Sequence, residues 1–308
     1  MADSIPPGWS SSTTCSYLST PVRERMIDMI ELRKPLLTLI LCCAFSNAGL
    51  AQWPDNNIDA EKAVKFKVKQ VDILLDSAVE GFKRPFPEVK QFKFDREGLV
   101  THQEHIVSDA HYIHNYYTYE YRDKQLIRLI QIAKPIDAPA FITTDTTIFN
   151  YQYENGLLVS KSAIQGDLPL NESTFEYEHG KESLVTRKDR LMGSTTKVSK
   201  EYNAQGQLLK ELEDYGHPEM NSSVEYRYKD GLLVEKRYLD NTGKPNFTYY
   251  YEYDAKGNKI EERRVNGDGE LSYTERYSYD KNGLMQHETS YDKEGQFQYR
   301  FKTLYTYY

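Results

Sequence analysis

A glycine recurs every 26 residues through the last third of this chain, and it does so in two independent series. Gly231, Gly257 and Gly283 form one series; Gly243, Gly269 and Gly295 form the other. A fixed internal period constrains the fold more than composition does, because each period must be one structural unit. The aromatic residue that closes each short run keeps the same rhythm: Phe94, Tyr121, Tyr153, Tyr177, Tyr202, Tyr228, Tyr253 and Tyr279. The steps between them are 27, 32, 24, 25, 26, 25 and 26 residues.

Each unit reads as strand, tight turn, strand, second turn. In Tyr277-Ser278-Tyr279-Asp280-Lys281-Asn282-Gly283-Leu284, alternation puts both tyrosines on one face. Asp280 opens the turn by accepting a backbone N–H two residues on, and Gly283 supplies a positive φ without steric cost. That spacing suits a three-residue loop with a glycine bulge. Phe94-Asp95 to Gly98, Tyr202-Asn203 to Gly206 and Tyr253-Asp254 to Gly257 share it. Tyr153-Glu154-Asn155-Gly156 and Tyr228-Lys229-Asp230-Gly231 are one residue shorter, which predicts two-residue type I′ hairpins. The second turn recurs at Asp240–Gly243, Asn266–Gly269 and Asp292–Gly295. Leu157, Leu232, Leu284 and Ile260 follow the first turns and are expected to extend the ring-bearing face into a core.

The expectation is an all-β fold: tandem ~26-residue β-hairpin repeats, 16–18 short strands, forming an elongated twisted antiparallel sheet or β-solenoid. Four segments are expected. Residues 1–28 are Ser/Thr/Pro-rich and aperiodic, a non-native extension with the initiator at Met26 or Met29. Residues 29–51 carry a basic stretch, the apolar run Leu36–Phe45, and small residues before Gln52, the three parts of a signal peptide. Residues 52–90 form an N-terminal cap, with Ala63–Leu75 a strand, and 91–308 form the array. Cleavage near Ala51-Gln52 places the product in the periplasm or at the cell surface with no transmembrane span. It also removes Cys15, Cys42 and Cys43, so the mature chain has no thiol for a disulfide or nucleophile.

Arg276-Tyr277-Ser278-Tyr279-Asp280-Lys281-Asn282-Gly283-Leu284 and Tyr251-Glu252-Tyr253-Asp254-Ala255-Lys256-Gly257-Asn258 resemble the YD repeat of Rhs and teneurin-type proteins. The chain as a whole is similar to short stand-alone repeat proteins of Bacteroidetes envelopes. The resemblance covers most of residues 90–308 and implies a spiralling β-sheet. The chain has only about eight repeats and no toxin-like domain after them, so a closed shell is not expected.

The formal charge of −7 gives no electrostatic basis for binding nucleic acid. His102, His105, His111 and His114 form two H-x-x-H pairs, but on strands residues i and i+3 point to opposite faces, so no metal is expected there. Asp240, Asn241, Asp280, Asn282 and Asp292 look like calcium ligands, yet turn chemistry accounts for them and no EF-hand loop is present. Glu261-Glu262 and Glu211/Glu213 are carboxylate pairs of no special spacing. Asn171, Asn221 and Asn246 lie in glycosylation sequons that carry little meaning in a bacterium. Phe301–Tyr308 is similar to the last strand of an outer-membrane barrel, but the face opposite the rings is charged where a lipid band would be needed, and a membrane barrel is not predicted. Lys134-Pro135-Ile136-Asp137-Ala138-Pro139 breaks the rhythm and is where a special site would sit. No catalytic, cofactor-binding or metal residue is assigned and no enzyme is expected. The expected role is a protein-interaction or envelope-structural module, with carbohydrate binding on exposed Tyr rows as the alternative. The partner would be a protein or a cell-surface glycan.

Overall fold

A computed structural model describes residues 64–79, 90–108, 112–135 and 144–308. The predicted extension, the signal peptide and most of the 134–139 interruption lie outside the described residues. Eighteen strands follow one another: β1 Val68–Ala78, β2 Lys90–Phe94, β3 Val100–Ser108, β4 Tyr112–Arg122, β5 Gln125–Pro135, β6 Asp145–Glu154, β7 Leu157–Gln165, β8 Leu168–Glu178 and β9 Lys181–Asp189. The second half comprises β10 Thr195–Tyr202, β11 Leu208–Asp214, β12 Ser222–Lys229, β13 Leu232–Leu239, β14 Pro245–Tyr253, β15 Lys259–Asn266, β16 Leu271–Tyr279, β17 Met285–Asp292 and β18 Phe297–Tyr307.

The turns form as the residues dictate. The Gly257 N–H donates to the Asp254 carbonyl at 3.0 Å, and Asp254 Oδ1 accepts the N–H groups of Lys256 and Asn258 at 2.8 and 2.9 Å. Asp280 does the same for Asn282 and Leu284, both at 2.8 Å. The two shorter turns have positive φ at both central residues: Asn155 (50°) with Gly156 (83°), and Asp230 (52°) with Gly231 (83°). That is the type I′ pattern. Each of the eight aligned aromatics, Phe94 through Tyr279, sits at a register shift against the following strand.

Those shifts revise the expected core. Glu252 faces Glu261 and Tyr253 faces Lys259, so Ile260 is the extra residue of a bulge and is 37% exposed. Tyr153 faces Leu158, which is buried in place of Leu157. Leu284 is buried as expected.

The larger correction concerns the sheet. It is neither an open twisted sheet nor a solenoid. All 18 strands belong to one sheet in which every strand pairs with its chain neighbours, and β1 pairs antiparallel with both β18 and β2. Val71 faces Tyr305 on one side and Phe92 on the other. The result is a closed up-and-down barrel. Closure removes both free edges, which an array would have to protect with caps. The stretch read as an N-terminal cap supplies β1, and Tyr308 seals the seam: its N–H donates to the Lys67 carbonyl at 3.1 Å, and its hydroxyl donates to the Phe94 carbonyl.

Alternation then separates an inner from an outer face. Val71, Phe92 and Val185 are 0% exposed. The residues that alternate with the covered set, such as Ile132, Leu212 and Leu304, are exposed. In a closed wall only the concave side can be covered by its own side chains, so the ring-bearing face is the inside. Three apolar clusters line it: one on β18, β1, β2 and the start of β3, one on β5–β10, and one on β12–β14.

Candidate functional site

With both edges consumed, the interior of the barrel is the candidate site. Its framework is tyrosine. Rings that close the strands lean over the neighbouring strand and donate their hydroxyls to main-chain carbonyls. Tyr177 reaches Leu158 at 2.9 Å, Tyr202 reaches Glu182 at 2.9 Å, and Tyr253 reaches Leu233 at 2.8 Å. Tyr279 reaches Lys259 at 2.6 Å, and Tyr305 reaches Met285 at 2.8 Å. Each bond spans 19 or 20 residues. The register shift at the aromatic leaves a carbonyl for the next ring to take. Burial raises the pKa of these phenols, Tyr202 and Tyr279 among them, so they stay neutral donors.

Within this framework lie ionisable groups. Lys200 Nζ, on β10, sits 2.5 Å from Glu182 Oε1 and 3.4 Å from Glu211 Oε1, with the ammonium side chain 1% exposed. Lys259 pairs with Glu262 at 2.6 Å and lies over the Tyr277 ring. Glu275, inside β16, has its pKa raised by burial and then by Glu288 and Glu262. A dry aliphatic core has no use for such groups, since each buried charge must be paired or neutralised. Several keep some contact with solvent: the Arg187, Lys259 and Glu262 side chains are 26, 18 and 14% exposed. The inner surface is thus lined by phenols and mixed charges, several of them in part exposed.

The outer face differs around the perimeter. On β12 to β16 it is a lattice of ion pairs: Arg227 to Glu235 at 2.5 Å, Arg237 to the same carboxylate, Arg263 to Glu252 at 2.9 Å, and Arg276 to Glu261 at 2.9 Å. On β5 to β7 it is apolar, with Ile130 facing Ile148 and Ile148 facing Ile164.

The sequence candidates fall in scattered places. His102 and His114 share the outer face and flank Glu104, at 3.0 and 3.4 Å. His105, of alternate parity, points inward, and His111 is outside the described residues. Burial pushes Glu104 upward, but the His102 hydrogen bond and the charges of His102, His114 and Lys93 leave it below the usual carboxylate range. Asp240, Asp280 and Asp292 are occupied as turn acceptors. No cluster of three or more potential metal ligands occurs among the described residues. Glu261 and Glu262 point to opposite faces, one in the outer ion-pair lattice and one inside. Glu211 and Glu213 both face inward, where Glu211 binds Lys200 and the Tyr226 hydroxyl. Asn171 lies on β8, Asn221 accepts the Tyr215 N–H at 3.0 Å, and Asn246 is exposed. The inward Lys161, Arg187 and Lys200 were not singled out from the sequence. Alternation would have placed Arg187 and Lys200 with the rings, and Lys161 joins them through a register shift, but lysine and arginine default to the solvated face.

No protein-family model matches the chain, and no curated protein matches it. Among solved structures it is similar to a porin-like protein from Bacteroides uniformis, at 12% identity over 78% of this chain and 98% of that one, TM-score 0.46. It is also similar to a porin-like protein from Bacteroides vulgatus, at 8% identity over 78% and 98%, TM-score 0.29. A third is the Photorhabdus luminescens Tc holotoxin pore, at 12% identity over 75% of this chain and 18% of that one, TM-score 0.24. The resemblance to YD-repeat proteins is not upheld: the sheet closes on itself instead of spiralling, and no family model supports it. The interaction-module reading, and its glycan-binding alternative on open Tyr rows, fall for the same reason, because closure turns those rows inward.

Proposed function

We propose that this protein is an exported barrel of the cell envelope that serves solute transport, with its lumen as the compartment for a small polar molecule. One observation carries the reading. β1 seals the wall between β18 and β2, and the enclosed face bears phenols and ionisable side chains instead of a uniform apolar core. Large barrels enclose ligand cavities or channels, and a ligand site needs an apolar lining with a few placed polar groups. The leader read at residues 29–51 supports export. The outer face argues for the aqueous part of the envelope: an arginine facing lipid at mid-bilayer costs roughly 2–4 kcal/mol, and Arg237, Arg263 and Arg276 all lie on that face.

Native mass spectrometry of protein purified without detergent from its own envelope tests this. The expected result is a discrete small-molecule adduct that leaves on unfolding, together with no conductance when the protein is added to a planar lipid bilayer. A bare polypeptide mass with no solute retained in equilibrium dialysis overturns transport. Discrete conductance steps would place the transport function in the membrane instead.

A further inference from the structure

We infer that the lumen holds an oxyanion site formed by Lys161, Arg187 and Tyr151, which takes the carboxylate or phosphate group of a small solute. The inference deepens the transport reading and rests on it for the source of the solute.

Three strand pairings set the geometry. Tyr151 on β6 faces Lys161 on β7, Lys161 faces Ser173 on β8, and Ser173 faces Arg187 on β9. These four side chains form one continuous row on the inner wall. Tyr151 and Lys161 are each 8% exposed. The Tyr151 hydroxyl is buried with no hydrogen-bond partner, and so are Nε and Nη2 of Arg187. The Lys161 ammonium has no ion pair among the described residues; it lies 5.2 Å from the Phe149 ring centre and 5.6 Å from that of Tyr151.

Charge accounting points the same way. The nearby carboxylate is Glu213, which faces Arg187 only through Nη1 at 3.6 Å. It also accepts the Tyr215 hydroxyl at 2.8 Å and the Ser222 hydroxyl at 3.1 Å. One carboxylate, paired with Arg187 alone, stands against two basic side chains, and every unpartnered atom in the row can donate a hydrogen bond. The neighbouring cation Lys200 shows the contrast, since it is covered by Glu182 and Glu211. Buried donors without acceptors are rare in native proteins because each one carries an uncompensated desolvation cost. A carboxylate or phosphate offers the several strong acceptor oxygens that such a row of donors calls for.

The test titrates the full mature chain calorimetrically with inorganic phosphate and, separately, with acetate. Binding of either anion is expected, and the stronger of the two identifies the class of head group. Lys161→Met should weaken it by about tenfold or more, the loss expected for a charged hydrogen bond. Tyr151→Phe, nearly isosteric, should weaken it several-fold and serves if Lys161→Met fails to fold. Lys236→Met, an inward lysine elsewhere, should leave it unchanged. Equal affinity in the wild type and both site variants, or no binding of either anion, overturns the site. If both anions fail while the native adduct is present, the site falls and transport stands. If anions bind in a Lys161-dependent way but no solute is retained from the envelope, transport falls and the site stands.

Discussion

Lys161 shows how much a single inward charge can do. Burial and, to a smaller extent, the nearby Arg187 together lower its pKa to about 7. The unfolded chain therefore takes up a proton that the folded chain resists, throughout the interval from the ordinary lysine value down to about 7. Because the unfolded state binds more protons there, stability rises with pH across that interval. It is greatest above the unfolded pKa and lost as pH falls toward the folded one. Measured in buffer free of phosphate and carboxylates, urea denaturation midpoints should climb between pH 8 and pH 10, above the range where the buried Glu275, raised to about 8, titrates with the opposite sign, with a total change on the order of a few kcal/mol. Lys161→Met should flatten that slope; an unchanged slope in the variant would place the titrating group elsewhere. Nothing in the sequence marked this lysine. It belongs to a strand reading Leu157-Leu158-Val159-Ser160-Lys161-Ser162-Ala163, where the serines suggest a wetted face, and only the bulge opposite Tyr153 puts Lys161 in line with Leu158 and Ala163.

At the scale of the element, the turns were legible because their chemistry is local. An aspartate that accepts two backbone N–H groups, followed by a glycine at positive φ, needs nothing from the rest of the molecule. Gly257 has a φ of 81° and open space around its missing side chain. Gly257→Ala should therefore cost only the left-handed backbone penalty, about 1–2 kcal/mol. Gly267 is the opposite case, since a Cβ there would lie 2.2 Å from the Pro245 carbonyl oxygen. Gly267→Ala must displace backbone and should cost more than Gly257→Ala in the same urea titration, with unchanged dependence on denaturant. Equal costs would mean that the β13–β14 and β15–β16 turns do not crowd each other. The sequence placed both glycines in turns but could not rank them, because the crowding comes from a neighbouring turn that meets Gly267 only in the folded sheet. The register shifts escaped for a related reason: strict alternation puts Ile260 on the ring-bearing face, whereas one extra residue in the strand sends it outward.

For the whole molecule, closure is the property that local pattern cannot encode. A hairpin array and a barrel have the same turns, the same alternation and the same aromatic rhythm. They differ only in whether β1 finds β18, a contact between residues more than 200 positions apart. Its chemistry is nevertheless visible: Val71, Ile73 and Leu75 meet Tyr305, Thr303 and Phe301, so β1 continues the inner face of its neighbours. A covalent test separates the two architectures. Leu74 faces Lys302 on the outer side of the seam, and directly paired residues on antiparallel strands have Cα atoms about 4.5–5.5 Å apart, within disulfide range. A chain beginning at Gln52 has no native cysteine, so the double variant Leu74→Cys/Lys302→Cys would carry a single possible bridge. It should oxidise quantitatively as a monomer, migrate faster on a non-reducing gel, and raise the free energy of unfolding by roughly 5 kcal/mol, because the closed loop exceeds 200 residues. Monomeric oxidation is the decisive readout. An open sheet would hold the two thiols at opposite ends of the molecule, and only intermolecular disulfides would form.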